Sequence, residues 1–277
     1  PNLVGMIGAL RSEFLKLTTV RLWWVLLLTL FGYVGFTSGL LAGVFGALGD
    51  QLATSPNAPQ LPADALPPLI YSTVTAVGYV IPLILGALSV TSEFRYQTLT
   101  PTFLAGPRRG VVLGAKVMVL AAAGAVFGIV GLVSSMGIGG SILAFSGIDP
   151  QLGSADTWLL AGRVVIASAL WAVIGVGVGS LITNQVASIV VVLAFAQFVE
   201  PILRLGASIW DWTAAVGKFL PGAASDALVG SSIFTSLGTG TTSVQTLEWW
   251  QGGLVLLGLG VVLALAGFLT SWRRDVT

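Results

Sequence analysis

Apolar residues run almost without interruption through six stretches, Leu22 to Ala47, Leu69 to Val90, Val117 to Ile142, Leu159 to Ile182, Val186 to Leu205 and Gly252 to Leu269. Each spans about 18 to 26 residues, and at a rise of about 1.5 Å per residue each covers the roughly 30 Å hydrocarbon core of a bilayer, the longest with tilt. The pattern predicts an all-α integral membrane protein with six transmembrane helices in a single domain. Ahead of the first run, Leu3, Ile7, Leu10, Phe14 and Leu17 recur at steps of three and four, and Arg11, Ser12, Glu13 and Lys16 fill the other face. Residues 1–21 therefore read as an amphipathic interfacial helix with its cations near anionic headgroups, serving as a topological anchor or as a partner contact. The first apolar run exceeds the roughly 7 to 15 residues of a signal core, and no A-x-A-like site closes it, so it reads as an anchor.

The connections are uneven. Residues 91–116 form the richest polar stretch, mixing charges, hydroxyls and aromatics where a bare connection could be far shorter. Pro101 and Pro107 punctuate it, which predicts short helices around Phe94 to Thr100 and Thr102 to Ala105; the stretch reads as a docking site or, alternatively, as a positively charged topology loop with no partner. Leu48 to Pro68 holds five prolines and reads as irregular. Residues 206–251 are long; Trp210, Trp212, Phe219 and Leu220 suit a membrane interface, and the Gly-, Ser- and Thr-rich remainder suits a loose loop, so a short external or re-entrant helix pair is expected. Glycines at four-residue spacing, Gly35/Gly39/Gly43, Gly124/Gly128 and Gly175/Gly179, predict close helix packing within the chain, or a dimer seam.

Composition agrees with a membrane location. Of 277 residues, 55% are hydrophobic and 8% charged, far below the roughly one quarter typical of soluble domains. Arg11, Lys16 and Arg21, then Arg95, Arg108, Arg109 and Lys116, then Arg273 and Arg274 fall on one side if the spans alternate, and these are nine of the twelve basic residues. By the positive-inside rule that side is cytoplasmic and holds both termini. Asp50, Asp64, Asp149, Asp156, Asp211, Asp226 and Glu248 lie opposite.

The absence of Cys and His excludes a disulfide framework, a thiol nucleophile, a Ser/His/Asp triad and the usual zinc or haem ligands. No G-x-x-x-x-G-K-[ST] phosphate loop occurs; Gly217-Lys218-Phe219 lacks the leading glycine and the hydroxyl. An intramembrane serine protease would need a base beside its serine, and Lys16, Lys116 and Lys218 are all expected outside the spans. The chain is thus expected to be no enzyme. The ionisable residues expected within spans are Arg163, Glu200 and Arg204, near the external ends of the fourth and fifth. Glu200 and Arg204 stand four apart and are expected to pair, or to serve an external gate, with Pro201 kinking the helix.

The lead-in Arg11 to Trp24, the loop Glu93-Phe-Arg-Tyr-Gln-Thr-Leu-Thr-Pro-Thr-Phe-Leu-Ala-Gly-Pro-Arg-Arg, the external Leu220-Pro-Gly-Ala-Ala and the tail Arg273-Arg-Asp-Val resemble permease subunits of type-2 ATP-binding-cassette (ABC) exporters, particularly actinobacterial ones. The resemblance spans nearly the whole chain. It implies a multi-pass protein of the bacterial plasma membrane, paired with an identical or homologous permease above two separate ATPase subunits that carry ATP and Mg. It implies that the helix before the first span is an elbow, with Leu10, Arg11, Phe14 and Lys16, and that the loop after the second span is a coupling helix. Glu93, Phe94, Arg95, Thr98, Leu99, Thr102 and Phe103 would then transmit ATPase closure, with Arg108 and Arg109 near the membrane surface. Tyr79, Pro82, Phe195, Gln197 and Phe198 become candidates for a substrate path along the permease seam, with core packing or lipid contact as the alternative for each. The implied activity is outward movement of a drug, lipid or lipid-linked molecule by alternating access. A secondary carrier or channel working without ATP, and a non-transporting scaffold or immunity protein, are the competing readings; no similarity between the two halves supports an inverted repeat.

Overall fold

The computed structural model describes residues 3–49, 51, 54, 61–99, 102, 108–207, 209–233, 236 and 246–272, and the regular elements among them are all helices. In chain order they are α1 (Leu3–Thr19), α2 (Leu22–Ala47), α3 (Leu66–Tyr71), α4 (Thr73–Ala76), α5 (Val80–Arg95), α6 (Arg109–Phe145), α7 (Ala155–Leu181), α8 (Gln185–Ala207), α9 (Asp211–Gly217), α10 (Pro221–Val229) and α11 (Trp249–Trp272). Five of them, α2, α6, α7, α8 and α11, are long and apolar enough to cross a bilayer, which makes this an all-helical multi-pass membrane protein. Pro56 and Pro59 of the 48–68 stretch, residues 237–245, Phe103 to Pro107 and the Arg273-Arg274 tail lie outside the described residues.

Local chemistry sets several helix ends. The Ser154 hydroxyl accepts from the Asp156 amide at 3.3 Å and the Asn184 side chain accepts from the Ala187 amide at 3.0 Å, capping α7 and α8. Glu248 and Gln251 cap α11 reciprocally, the Glu248 amide donating to Gln251 Oε1 at 3.0 Å. α6 begins at Arg109 rather than at Val117, so Lys116 stands inside a long helix and not in the preceding loop as expected. The reason is that nothing between Gly110 and Lys116 breaks a helix; hydropathy marks where apolar residues start, and a helix can start earlier.

The second expected span is not one helix. The apolar run Leu69 to Val90 is divided among α3, α4 and α5. Pro82 has no amide to give to the Gly78 carbonyl, and that carbonyl instead accepts from Ile81 at 3.1 Å, so the chain turns at Val77 to Tyr79 before α5 begins. Ser72 and Thr73 hydroxyls donate to the Leu69 and Ile70 carbonyls at 2.7 and 2.6 Å and satisfy the adjoining break. An interrupted backbone at membrane depth survives only where protein surrounds it. Leu69, Ile70, Tyr71, Val74 and Thr75 are all buried, so the interrupted run forms the interior of the bundle.

α7 is the axis around which the rest packs, and close approach requires small residues on three of its sides. A Cβ on Gly175 would collide with the Leu83 carbonyl of α5, and one on Gly86 with the Ala172 carbonyl of α7. On the second side, a Cβ on Gly124 of α6 would lie 2.6 Å from the Ser168 carbonyl, and on the third a Cβ on Gly177 would lie 2.6 Å from Leu263 Cβ of α11. In contrast, Gly43 of α2 has open space where a Cβ would stand.

Two substitutions separate packing glycines from merely helical ones. Gly175→Ala is expected to cost about 1 to 3 kcal/mol by overpacking against α5, whereas Gly43→Ala is expected to be neutral or stabilising by up to about 1 kcal/mol. Thermal unfolding of the detergent-purified variants, followed by retention of the monodisperse peak, checks this.

Candidate functional site

The N-terminal helix divides both faces of its pattern: Leu10 and Leu17 of the apolar stripe are half-buried, while Arg11 and Ser12 of the polar one are exposed. Ile7 and Phe14 of its apolar stripe are 62% and 57% exposed, facing where lipid lies, while Ala9 and Glu13 turn inward and Glu13 is 3% exposed. The inward face meets α6, and there Glu13 finds Lys116, which is only 2% exposed.

Four side chains from three helices close a ring of alternating charge. Lys16 Nζ lies 2.7 Å from Glu13 Oε1 and 2.8 Å from Glu93 Oε1; Lys116 Nζ lies 3.1 Å from Glu93 Oε1 and donates to Glu13 Oε2 in a short contact. Glu13 and Lys16 come from α1, Glu93 from the end of α5 and Lys116 from α6. The ring is neutral overall, which is what lets it lie beneath the bundle surface: an unpaired buried charge costs several kcal/mol, and each carboxylate here offsets two ammonium groups. Burial works against the Lys16 ammonium, but Glu93 and Glu13 outweigh it and hold its pKa above the ordinary lysine value, so Lys16 stays charged at physiological pH.

Beyond Glu93 the chain emerges. α5 continues to Arg95 instead of yielding to a separate helix from Phe94 to Thr100, because no breaker stands between Val90 and Arg95. It stops in a Schellman motif: Gln97 adopts a left-handed φ of 53°, its amide donates to the Phe94 carbonyl, and the Thr98 amide reaches back to the Glu93 carbonyl at 3.1 Å. Arg95, Tyr96, Gln97 and Thr98 are exposed, Phe94 and Thr102 are half-buried, and Leu99 returns to the interior. Phe103 lies outside the described residues. The exposed turn is tied down again by Arg95, whose Nη1 donates to Gln185 Oε1 at the start of α8, 3.0 Å away. Arg95 also lies 5.6 Å from the Tyr96 ring centre. Arg109 donates to the Trp272 carbonyl at 2.7 Å, joining α6 to the end of α11, while Arg108 is exposed. Of the remaining elbow residues, Leu10 is half-buried and Arg11 exposed.

A second polar cluster lies at the opposite end. Arg204 Nε lies 3.3 Å from Glu200 Oε1, and Arg204 Nη1 lies 2.8 Å from Asp226 Oδ2 on α10. Glu200 also accepts, in a short contact, from the Gly222 amide in the first turn of α10, where Leu220 supplies no side-chain cap. A carboxylate from α8 thus caps a helix distant in sequence and pins it to the bundle, and Trp171 Nε1 donates to Ser225 Oγ of the same helix at 3.1 Å. Arg163 does not join this cluster; its guanidinium lies 5.0 Å from the Trp249 ring centre. The expected kink at Pro201 takes the form of a π-helical turn, Phe195–Val199, which absorbs the ring's steric demand one turn earlier.

The five residues suggested for a substrate path do not share one surface. Tyr79 is buried, donates to the Ala196 carbonyl at 3.2 Å and packs its ring 4.4 Å from that of Trp171; Pro82 is buried in α5. Phe195 is half-buried, and Gln197 and Phe198 point outward from α8. Sequence reasoning missed Glu13, Lys116 and Asp226 as ion partners. The one legible sign was that Glu13 and Lys16 stand three apart on a helix and could pair. Among the described residues no group of three or more acidic side chains is arranged to hold a metal. Comparison with protein-family models and with curated proteins finds no match to this chain.

The ring makes a coupling prediction. Lys116→Met is expected to destabilise by about 3 to 5 kcal/mol because it leaves two buried carboxylates to share the single ammonium of Lys16, and Glu13→Gln by less. The double variant should cost at least about 1 kcal/mol less than the sum, as a double-mutant cycle of thermal unfolding would measure.

Proposed function

We propose that this chain is the membrane-spanning permease subunit of an ATP-driven type-2 ABC exporter of the bacterial plasma membrane. The end bearing the charge ring is cytoplasmic in this reading, since Arg11, Lys16, Arg21, Arg95, Arg108, Arg109 and Lys116 belong to it. ATP is hydrolysed on a separate partner ATPase, and this chain supplies the moving part. One observation carries the reading: the exposed turn Arg95 to Thr98 is joined by polar links to three other helices, through Glu93 to α1 and α6 and through Arg95 to α8. A push on that turn is therefore delivered to the elbow and to two long helices together, which is what a coupling element must do.

Within this reading two copies, or two homologous permeases, pair along α8. Only 22% of its apolar window is buried, the least of the five long helices, and it presents the Gln197 amide among Leu193, Phe198, Val199 and Ile202 on an outward face. An amide facing lipid is costly, and a second permease satisfies it. The cargo is an amphipathic or hydrophobic molecule, moved outward by alternating access between the pair.

The test is purification of the intact complex from the native membrane. ATPase subunits are expected to co-purify, and Arg95→Ala with Tyr96→Ala is expected to reduce their retention about ten-fold, as loss of interface anchors does, while leaving the charge ring and the thermal midpoint intact. Transport at full rate with no ATPase present would overturn the reading. That outcome favours a secondary carrier, for which the interrupted α3–α4–α5 run gives independent support, since carriers bind substrate at broken helices. Separately, Gln197→Leu is expected to lower the paired fraction about five-fold in crosslinking or single-molecule subunit counting, the worth of roughly 1 kcal/mol for an interhelical amide contact.

A further inference from the structure

α6 and α7 touch at Gly124 and Gly128, where a Cβ on Gly128 would lie 2.9 Å from Ser168 Oγ, and they separate beyond that crossing. The π-helical turn Ser135–Gly139 redirects the last part of α6, and the small residues Gly137, Gly140 and Gly162 leave the space between the helices unfilled. The result is a groove of about 760 Å³, in the size range of small-molecule sites. Its walls are almost wholly apolar, with Ile129, Val133 and Met136 on one side and Val165 on the other; Ser141, its hydroxyl, donates to its own helix at the Gly137 carbonyl.

The groove opens toward lipid, in the leaflet on the side of the 146–154 connection. Its rim is held in shape without any ligand: Trp158 Nε1 donates to the Leu152 carbonyl at 2.9 Å, and Tyr71 donates to the Pro150 carbonyl at 2.6 Å. A tryptophan in the first turn of α7 sits at headgroup level. The charged side chains of the rim itself are both acidic. Asp149 and Asp156 are exposed on either side of the rim, and the backbone of Asp64 is joined to it by Gln151 Nε2, 2.9 Å from the Asp64 carbonyl. Residues 117–162 contain no Lys or Arg, and Arg163 is turned away toward Trp249.

We infer that this groove holds one acyl chain of a phosphatidylethanolamine molecule, with the headgroup ammonium beside Asp149 and Asp156. The apolar trough supplies the affinity for the chain, and the acidic rim selects an ammonium-bearing head over an anionic lipid. The inference stands whether the chain exports, carries or only anchors, since it concerns lipid held by α6 and α7 alone.

The full chain is reconstituted in phosphatidylcholine nanodiscs doped with phosphatidylethanolamine bearing a diazirine in its acyl chain, or with phosphatidylglycerol bearing the same chain. After photolysis, labelled peptides are mapped by mass spectrometry. The expected result is enrichment of residues 129–165 over the lipid-facing peptides of α11, and about five-fold more of that labelling from phosphatidylethanolamine than from phosphatidylglycerol, the effect of roughly 1 kcal/mol for a surface charge. Gly162→Leu, at a position with no atom within 4 Å of a Cβ, is expected to reduce labelling to the α11 level. Gly137→Leu fills the trough from the other wall, also without a clash, and repeats the test if the first variant folds poorly. Asp149→Asn with Asp156→Asn is expected to bring the two lipids to parity. Uniform labelling around the bundle, equal labelling by the two lipids in the unaltered chain, or labelling unchanged by both leucine variants would overturn the inference.

Discussion

A lysine side chain in the body of a long apolar helix must find carboxylates or it will not stay folded there, and Lys116 finds two. Its ammonium is 2% exposed, and the desolvation it suffers is tolerable only because Glu13 and Glu93 flank it while Lys16 shares both of them. Much of the elbow-end architecture follows. The N-terminal helix must turn Glu13 and Lys16 toward α5 and α6, which leaves Ile7 and Phe14 exposed. The end of α5 must lie against both α1 and α6, and the turn after it is thereby held at the surface. The same interaction that makes the lysine bearable sets the position of the exposed turn Arg95 to Thr98.

The opposite end uses the same physics for a different purpose. Arg204 joins Glu200 to Asp226, and Glu200 completes the uncapped start of α10, so a short helix that packs against α7 and α11 is also tied to α8. Between the two ends the bundle needs no charge, only closeness. Glycines on α5, α6 and α11 bring backbones against α7, and the interrupted α3–α4–α5 run is enclosed where its turns are shielded from lipid. A membrane protein with so few charged residues thus spends them at its two ends.

How much of this was legible residue by residue follows from what each feature depends on. The ends of α2, α7 and α8 were readable to within a few residues, because apolar runs bounded by Ser154, Asn184 and charged flanks are local signals. The start of α6 was misread because Val111 to Lys116 is a good helix with a lysine in it, and hydropathy counts the lysine as a boundary. The division of the second run was misread for the complementary reason: Pro82 is tolerated or disruptive according to whether surrounding protein satisfies the freed carbonyl. Glu200 and Arg204 were four apart and readable as a pair, whereas Asp226 was not, since nothing local places α10 beside α8.

The sequence by itself determined that the chain lives in a bilayer and that most of its length runs as long apolar helices. Those properties are sums over neighbouring residues and need no partner. Only the tertiary structure decided that Glu13, Lys16, Glu93 and Lys116 form one ring, that the second run is folded into the interior, and that a trough remains between α6 and α7. A charge in hydrocarbon is stable or ruinous according to what stands within about 4 Å of it, and residues as far apart along the chain as Glu13 and Lys116 become neighbours only once the helices have packed.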